Sequence, residues 1–92
     1  MSYLSLKSML RTEFGAFKFY CKVYKQFGKL EVDLYFSLPD EGLKNFKDRI
    51  VYLDRPVSSF NEDKIYLFNG IENFSYTIDK FNRVHLACIL LH

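Results

Sequence analysis

Two runs of alternating apolar and polar residues, separated by Phe27-Gly28, dominate the chain. Phe17, Phe19, Cys21 and Val23 alternate with Lys18, Tyr20, Lys22 and Tyr24; Leu30, Val32, Leu34, Phe36 and Leu38 alternate with Glu31, Asp33, Tyr35 and Ser37. A period of two belongs to a strand with one buried face. Folding back about Phe27-Gly28 predicts inner pairs Val23 with Val32, Cys21 with Leu34 and Phe19 with Phe36. On the outer side it pairs Lys22 with Asp33, Tyr20 with Tyr35 and Tyr24 with Glu31. A slip of one residue would drive Lys18 and Lys22 into the core, so this register is strongly specified.

After Leu38 the period changes. Pro39-Asp40-Glu41 places an early proline and two carboxylates where the positive end of a helix dipole favours them, with Ser37 or Asp40 as candidate caps. Leu43, Phe46, Ile50 and Leu53 follow at spacings of three, four and three, which is one apolar stripe on a helix ended by Arg55-Pro56. Ser58-Ser59 and Asn61-Glu62-Asp63 form a polar loop. Beyond it the pattern predicts a short strand over Ile65–Phe68, a turn at Asn69-Gly70 and a strand with Phe74, Tyr76 and Ile78 on one face. The last strand runs from Arg83 to about Leu91. A three-residue connection, Lys80-Phe81-Asn82, pairs Ile78 with Val84 and Asp79 with Arg83. From Leu86 onward both faces are apolar, which fits a central strand. Residues 1–14 suit either a helix, through Leu6, Met9 and Leu10, or a strand over Tyr3–Leu6.

The order strand, strand, helix, strand, strand, strand implies an α+β domain: an antiparallel sheet of about five strands built from hairpins, with one helix packed on a face. A single domain spans 1–92. No repeat, linker or composition break divides it.

Composition supports an ordinary globular chain. Its 92 residues are 49% hydrophobic and include ten Phe and seven Tyr but only four Gly and two Pro, which excludes disorder and low-complexity structure. A chain of this size buries about two-thirds of its unfolded surface. No apolar run approaches the ~18 residues of a membrane span, and the first residues lack the long apolar stretch of a secretory signal, so a cytoplasmic location is expected. Cys21 and Cys88 are too few for a disulfide framework and fall on apolar strand faces, so both are expected to be reduced, packed thiols.

Net charge is +2, but the sign changes along the chain. Residues 1–30 carry six cations (Lys7, Arg11, Lys18, Lys22, Lys25, Lys29) against Glu13 alone, whereas 31–92 hold ten carboxylates and seven cations. Such asymmetry either marks a basic face or supplies partners for the acidic half.

Little in the chain argues for catalysis. His85 and His92 are the only histidines. His85 falls beside Thr77 across a hairpin and is expected to bond a hydroxyl or a backbone carbonyl, and His92 ends the chain. There is no phosphate loop, dinucleotide fingerprint or metal-ligand spacing. Glu31 and Asp33 share a face but each meets a Lys or Tyr across the hairpin, which reads as a solvated ion-pair ladder. No enzyme activity, cofactor or metal is expected.

Binding remains. Tyr20, Tyr24 and Tyr35, flanked by Lys22, Glu31 and Asp33, combine rigid rings with charged neighbours, as protein interfaces do. The same Lys/Tyr face suits a single-stranded nucleic-acid or adaptor module, but Glu31 and Asp33 oppose phosphates there, which makes nucleic acid the weaker alternative. Phe27, Phe60 and Phe81 fall in turns and are expected to fold back onto the core.

The order of these elements resembles that of small bacterial immunity proteins of contact-dependent growth inhibition and related polymorphic toxin systems. The resemblance runs from Phe17 to about Leu90. It is carried by the strands Phe17-Lys18-Phe19-Tyr20-Cys21-Lys22-Val23 and Leu30-Glu31-Val32-Asp33-Leu34-Tyr35-Phe36, the helix Gly42-Leu43-Lys44-Asn45-Phe46, and a closing hairpin with Asn82-Arg83-Val84-His85-Leu86. It implies one-to-one binding to a cognate toxin domain, with occlusion of its active site or substrate path. Acidic residues for such a contact gather at Asp40, Glu41, Asp48, Asp54, Glu62 and Asp63. On exposure and composition, the candidate interface comprises Tyr20, Lys22, Tyr24, Glu31, Asp33, Tyr35, Asp40, Glu41, Glu62 and Asp63.

Overall fold

Ser2 and Gly15 bracket the first helix and resolve the ambiguity of the N-terminal segment. In the computed structural model, which describes residues 2–50 and 70–91, α1 spans Tyr3–Phe14. The Ser2 hydroxyl oxygen accepts from the Ser5 amide at 3.1 Å, an N-cap worth about 1 kcal/mol. At the other end Gly15 takes the left-handed conformation (φ 67°), its amide donating to the Arg11 carbonyl at 3.0 Å while the Ala16 amide reaches the Leu10 carbonyl at 3.3 Å. Leu6, Leu10 and Phe14, spaced by four, form its buried stripe.

The chain then forms β1 (Phe17–Gln26), β2 (Lys29–Ser37), α2 (Asp40–Ile50), β3 (Ile71–Ile78) and β4 (Arg83–Leu90). The four described strands make one antiparallel sheet in the order β1-β2-β4-β3, so β4 is central as its two apolar faces suggest. The class is α+β. Two described helices accompany the sheet where one was expected. The strand expected over Ile65–Phe68, the helix end at Arg55-Pro56, the loop after it, and Leu53 and Phe60 lie outside the described residues.

Register follows the alternation closely. Val23 pairs with Val32, Cys21 with Leu34, Lys22 with Asp33, Tyr20 with Tyr35 and Tyr24 with Glu31, and Ile78 pairs with Val84. Two bulges interrupt it. Between Phe17 and Tyr20 the first strand spends one more residue than its partner, with Lys18 at φ 57°. The extra residue reverses the phase, so Phe17 pairs with Ser37 on the outer face and is 44% exposed instead of joining Phe19 inside. A second bulge lies between Glu72 and Ser75, with Asn73 at φ 51°.

The core forms on one face of the sheet. Val32, Leu34 and Phe36 of β2 and Val84, Leu86, Cys88 and Leu90 of β4 cluster with Leu6, Leu10 and Phe14 of α1 and Phe46 of α2. The Phe46 ring sits edge-on to Phe14 at 5.3 Å, to Tyr76 at 5.8 Å and to Phe36 at 6.1 Å, which ties both helices to the strands. Helix meets helix at Gly42, whose missing side chain makes room for the Phe14 carbonyl. The Arg49 guanidinium bonds the Glu13 carboxylate at 2.8 Å, and the Asn45 side-chain amide donates to the Glu13 carbonyl at 3.1 Å. At the start of α2 the Pro39 carbonyl accepts from Leu43 at 2.8 Å, so the proline precedes the first turn and Asp40 opens it.

Candidate protein-binding face

The strand residues that point away from this core make a second, polar and aromatic face. Register across four strands sets out its rows. Tyr20, Tyr35, His85 and Thr77 form one row, and Lys22, Asp33, Ala87 and Ser75 the next; Tyr24, Glu31, Ile89 and Glu72 form a third. Six of the expected interface residues, Tyr20, Lys22, Tyr24, Glu31, Asp33 and Tyr35, therefore share one surface on β1 and β2. Asp40 and Glu41 do not join them. They open α2 in the helical layer, where the Asp40 carboxylate accepts from the Asn82 side-chain amide at 2.7 Å. Glu62 and Asp63 lie outside the described residues.

The aromatic row is ordered by its own packing. Tyr20 and Tyr35 approach at 5.8 Å between centroids, and Tyr35 stacks on the His85 imidazole at 4.4 Å with planes 8° apart. His85 is held from below by Asp33, its Nε2 lying 3.0 Å from Oδ1. The partner of His85 is thus a carboxylate two residues along the neighbouring strand, not a hydroxyl or backbone carbonyl. This also dissolves the expected ion-pair ladder, because Asp33 turns to His85 and no ion pair links it to Lys22 among the described residues. His85 was absent from the expected interface because the pairing of β2 with β4, which are far apart in sequence, has no local signal.

Beside the row lies a depression of about 430 Å³ bordered by Lys18, Tyr35, Ser37, Thr77, Arg83 and His85. Its far side is closed by Asp79, whose Oδ2 meets the Arg83 Nε at 2.6 Å and whose Oδ1 accepts the amides of Phe81 and Arg83 at 2.9 Å each. These contacts, the Arg83 amide first, hold the Asp79 carboxyl below its ordinary pKa.

The turn aromatics do not fold back. Phe27 is 93% exposed and Phe81 64%, the latter flanked by the Lys80 ammonium at 5.2 Å and the Arg83 guanidinium at 5.0 Å. Both thiols are free, Cys88 buried and Cys21 half-buried. Burial pushes the Cys88 thiol up to about 11 and raises Cys21 as well, which suppresses thiolate chemistry. Among the described residues no group of three or more His, Cys, Asp or Glu side chains is placed to hold a metal, and no helix is long and apolar enough to cross a membrane. Comparison with protein-family models, curated proteins and solved structures found no match to this chain.

Proposed function

We propose that the protein works by binding another protein through the sheet face opposite its core, and that it is a cytoplasmic, non-enzymatic immunity protein that neutralises a cognate toxin domain. The observation that supports binding is the packed row Tyr20–Tyr35–His85, with Tyr20 59% exposed on a surface that carries both charge signs. Rings already fixed by one another lose little freedom when a partner covers them, so their burial contributes strongly to affinity. The narrower immunity reading is supported by the resemblance in element order.

A single-stranded nucleic-acid role has weaker support. Tyr35 and His85 stand face to face, so each has one π-face already occupied, and Glu31 and Asp33 repel phosphates on the same surface.

The test is to co-purify the tagged protein with an inactivated copy of the toxin domain encoded beside it. A one-to-one complex that Tyr20→Ala with Tyr35→Ala weakens more than tenfold, with folding intact, is the expected result. A failure of the intact protein to bind any such domain, or of the toxin to be inhibited, overturns the immunity reading.

A further inference from the structure

Five cations gather along one margin of the sheet. Lys18, Lys22 and Lys25 belong to β1, while Lys7 and Arg11 reach it from α1, their charged groups 5.3 Å and 5.5 Å from the Phe19 ring of β1. None of the five is in an ion pair among the described residues. Four carboxylates are engaged elsewhere, Glu13 with Arg49, Glu72 with Lys29, Asp79 with Arg83 and Asp33 with His85, while Glu31 stands on the neighbouring strand opposite Tyr24. Of the six cations of residues 1–30, only Lys29 is an ion-pair partner of the acidic half among the described residues. The other five lie along β1, with Asp33 and Glu31 on the strand beside it.

The same margin is an open edge. β1 pairs only with β2 among the described residues, so one side of a ten-residue strand keeps its backbone donors and acceptors free. Its side chains leave apolar surface exposed on both faces: Val23 at 50% on the core side, Tyr20 and Tyr24 on the other. Lysines on an edge discourage pairing with an identical cationic edge, which disfavours a second copy of this chain as the occupant. They favour an occupant of opposite charge.

We infer that β1 is a docking edge for an extended acidic segment of the protein partner, which adds to the sheet beside it. Backbone hydrogen bonds supply the attachment, and carboxylates set opposite Lys22 and Lys25 supply the selectivity. This rests on the protein-binding reading and narrows it: the partner is acidic where it touches this chain.

The experiment is an amide-resolved NMR titration of the whole 92-residue protein. The probe is a capped eight-residue peptide, Glu-Val-Val-Glu-Glu-Val-Val-Glu, which carries glutamates on both faces of an extended chain, at neutral pH; the controls are its valine–lysine counterpart and a fifteen-nucleotide oligo-dT. The acidic peptide is expected to shift the amides of residues 17–26 before those of β3 and β4. The lysine peptide is expected to leave them in place. Raising salt from about 20 mM to about 200 mM should weaken the acidic complex several-fold, since the Debye length shortens below the spacing of these charges. Lys22→Gln with Lys25→Gln, two exposed positions whose change leaves the core untouched, should weaken it about fivefold or more.

Equal response to both peptides, shifts centred on another strand, or no response at millimolar peptide overturns the inference. Preferential shifts with oligo-dT would do so in favour of nucleic acid, and a dimer joined through β1 in favour of self-association. Because the peptide assay needs no toxin, its failure leaves the co-purification result to judge the wider reading. A missing toxin complex with a positive titration would discard immunity and keep the acidic docking edge.

Discussion

The His85 imidazole and the Asp33 carboxylate meet at 3.0 Å on a diagonal between neighbouring strands, beneath the ring that stacks Tyr35. The pair is about one-third exposed on each side, so water screens it. A double-mutant cycle with His85→Gln and Asp33→Asn in urea unfolding is expected to give a coupling below about 1 kcal/mol. A coupling of several kcal/mol would mean that the pair builds the fold and does not merely orient the face.

Gly42 is expected to be the least substitutable glycine among those described. A Cβ there would overlap the Phe14 carbonyl, a backbone atom that cannot swing aside, at the point where α2 meets α1. Gly42→Ala should cost about 3 kcal/mol or more in denaturant unfolding. Gly28→Ala, which meets nothing but keeps a left-handed conformation (φ 75°), should cost only about 1 kcal/mol. Equal costs would show that the helices separate easily.

Phe27 occupies the first position of a two-residue hairpin loop with φ 52°, followed by Gly28 at 75°, and its ring is 93% exposed. Positive φ at both positions is the type I′ pattern that favours Asn-Gly. Phe27→Asn should therefore raise stability by about 1 kcal/mol, because strain is relieved and little packing is lost. A lowered melting temperature would instead reveal a stabilising contact for the ring.

Asp79 links acidity to the turn between β3 and β4. Its folded pKa is depressed, first by the Arg83 amide, so its contribution is present above the unfolded carboxylate value and disappears as pH falls through the lower folded value. Urea titrations from pH 6 down to about pH 2.5 should show the native chain losing more stability below about pH 4 than Asp79→Asn does. Parallel curves for the two proteins would remove Asp79 as a source of acid sensitivity.

Cys88 makes the opposite prediction at high pH. Its thiol, raised to about 11 by burial, keeps its proton in the folded state after the unfolded chain has lost it. Stability should then fall as pH rises from about 8.5, the ordinary thiol value, towards the folded value, and Cys88→Ala should flatten that slope. A thiol reagent at pH 8 should label the half-buried Cys21 first and reach Cys88 only on unfolding. Simultaneous labelling would show the core opening near β4.

The strands and turns were legible because their signals are local. Alternation set the β1–β2 register down to Val23 with Val32, and the Lys80-Phe81-Asn82 connection set Ile78 opposite Val84. The second bulge was not expected, although it had a signal: the apolar phase changes from Ile71 to Tyr76 and Ile78 with Asn73, a residue tolerant of positive φ, between them. The bulge at Lys18 had none. Phe17-Lys18-Phe19-Tyr20 alternates without a break, and only the pairing with β2 shows that Phe17 turns outward.

Period and turn chemistry in the sequence determined that this is an antiparallel α+β chain with a particular hairpin register, because each of those features is decided by neighbours a few residues away. The tertiary structure decided which groups satisfy one another across long separations. Asp33 belongs to His85 and not to Lys22, Glu13 belongs to Arg49, and the N-terminal segment is a helix whose Leu6, Leu10 and Phe14 complete the core. Those choices left Lys7, Arg11, Lys18, Lys22 and Lys25 outside ion pairs among the described residues, while Lys29 pairs with Glu72. Which charged groups meet is a long-range property of the packed chain, and no local pattern carries it.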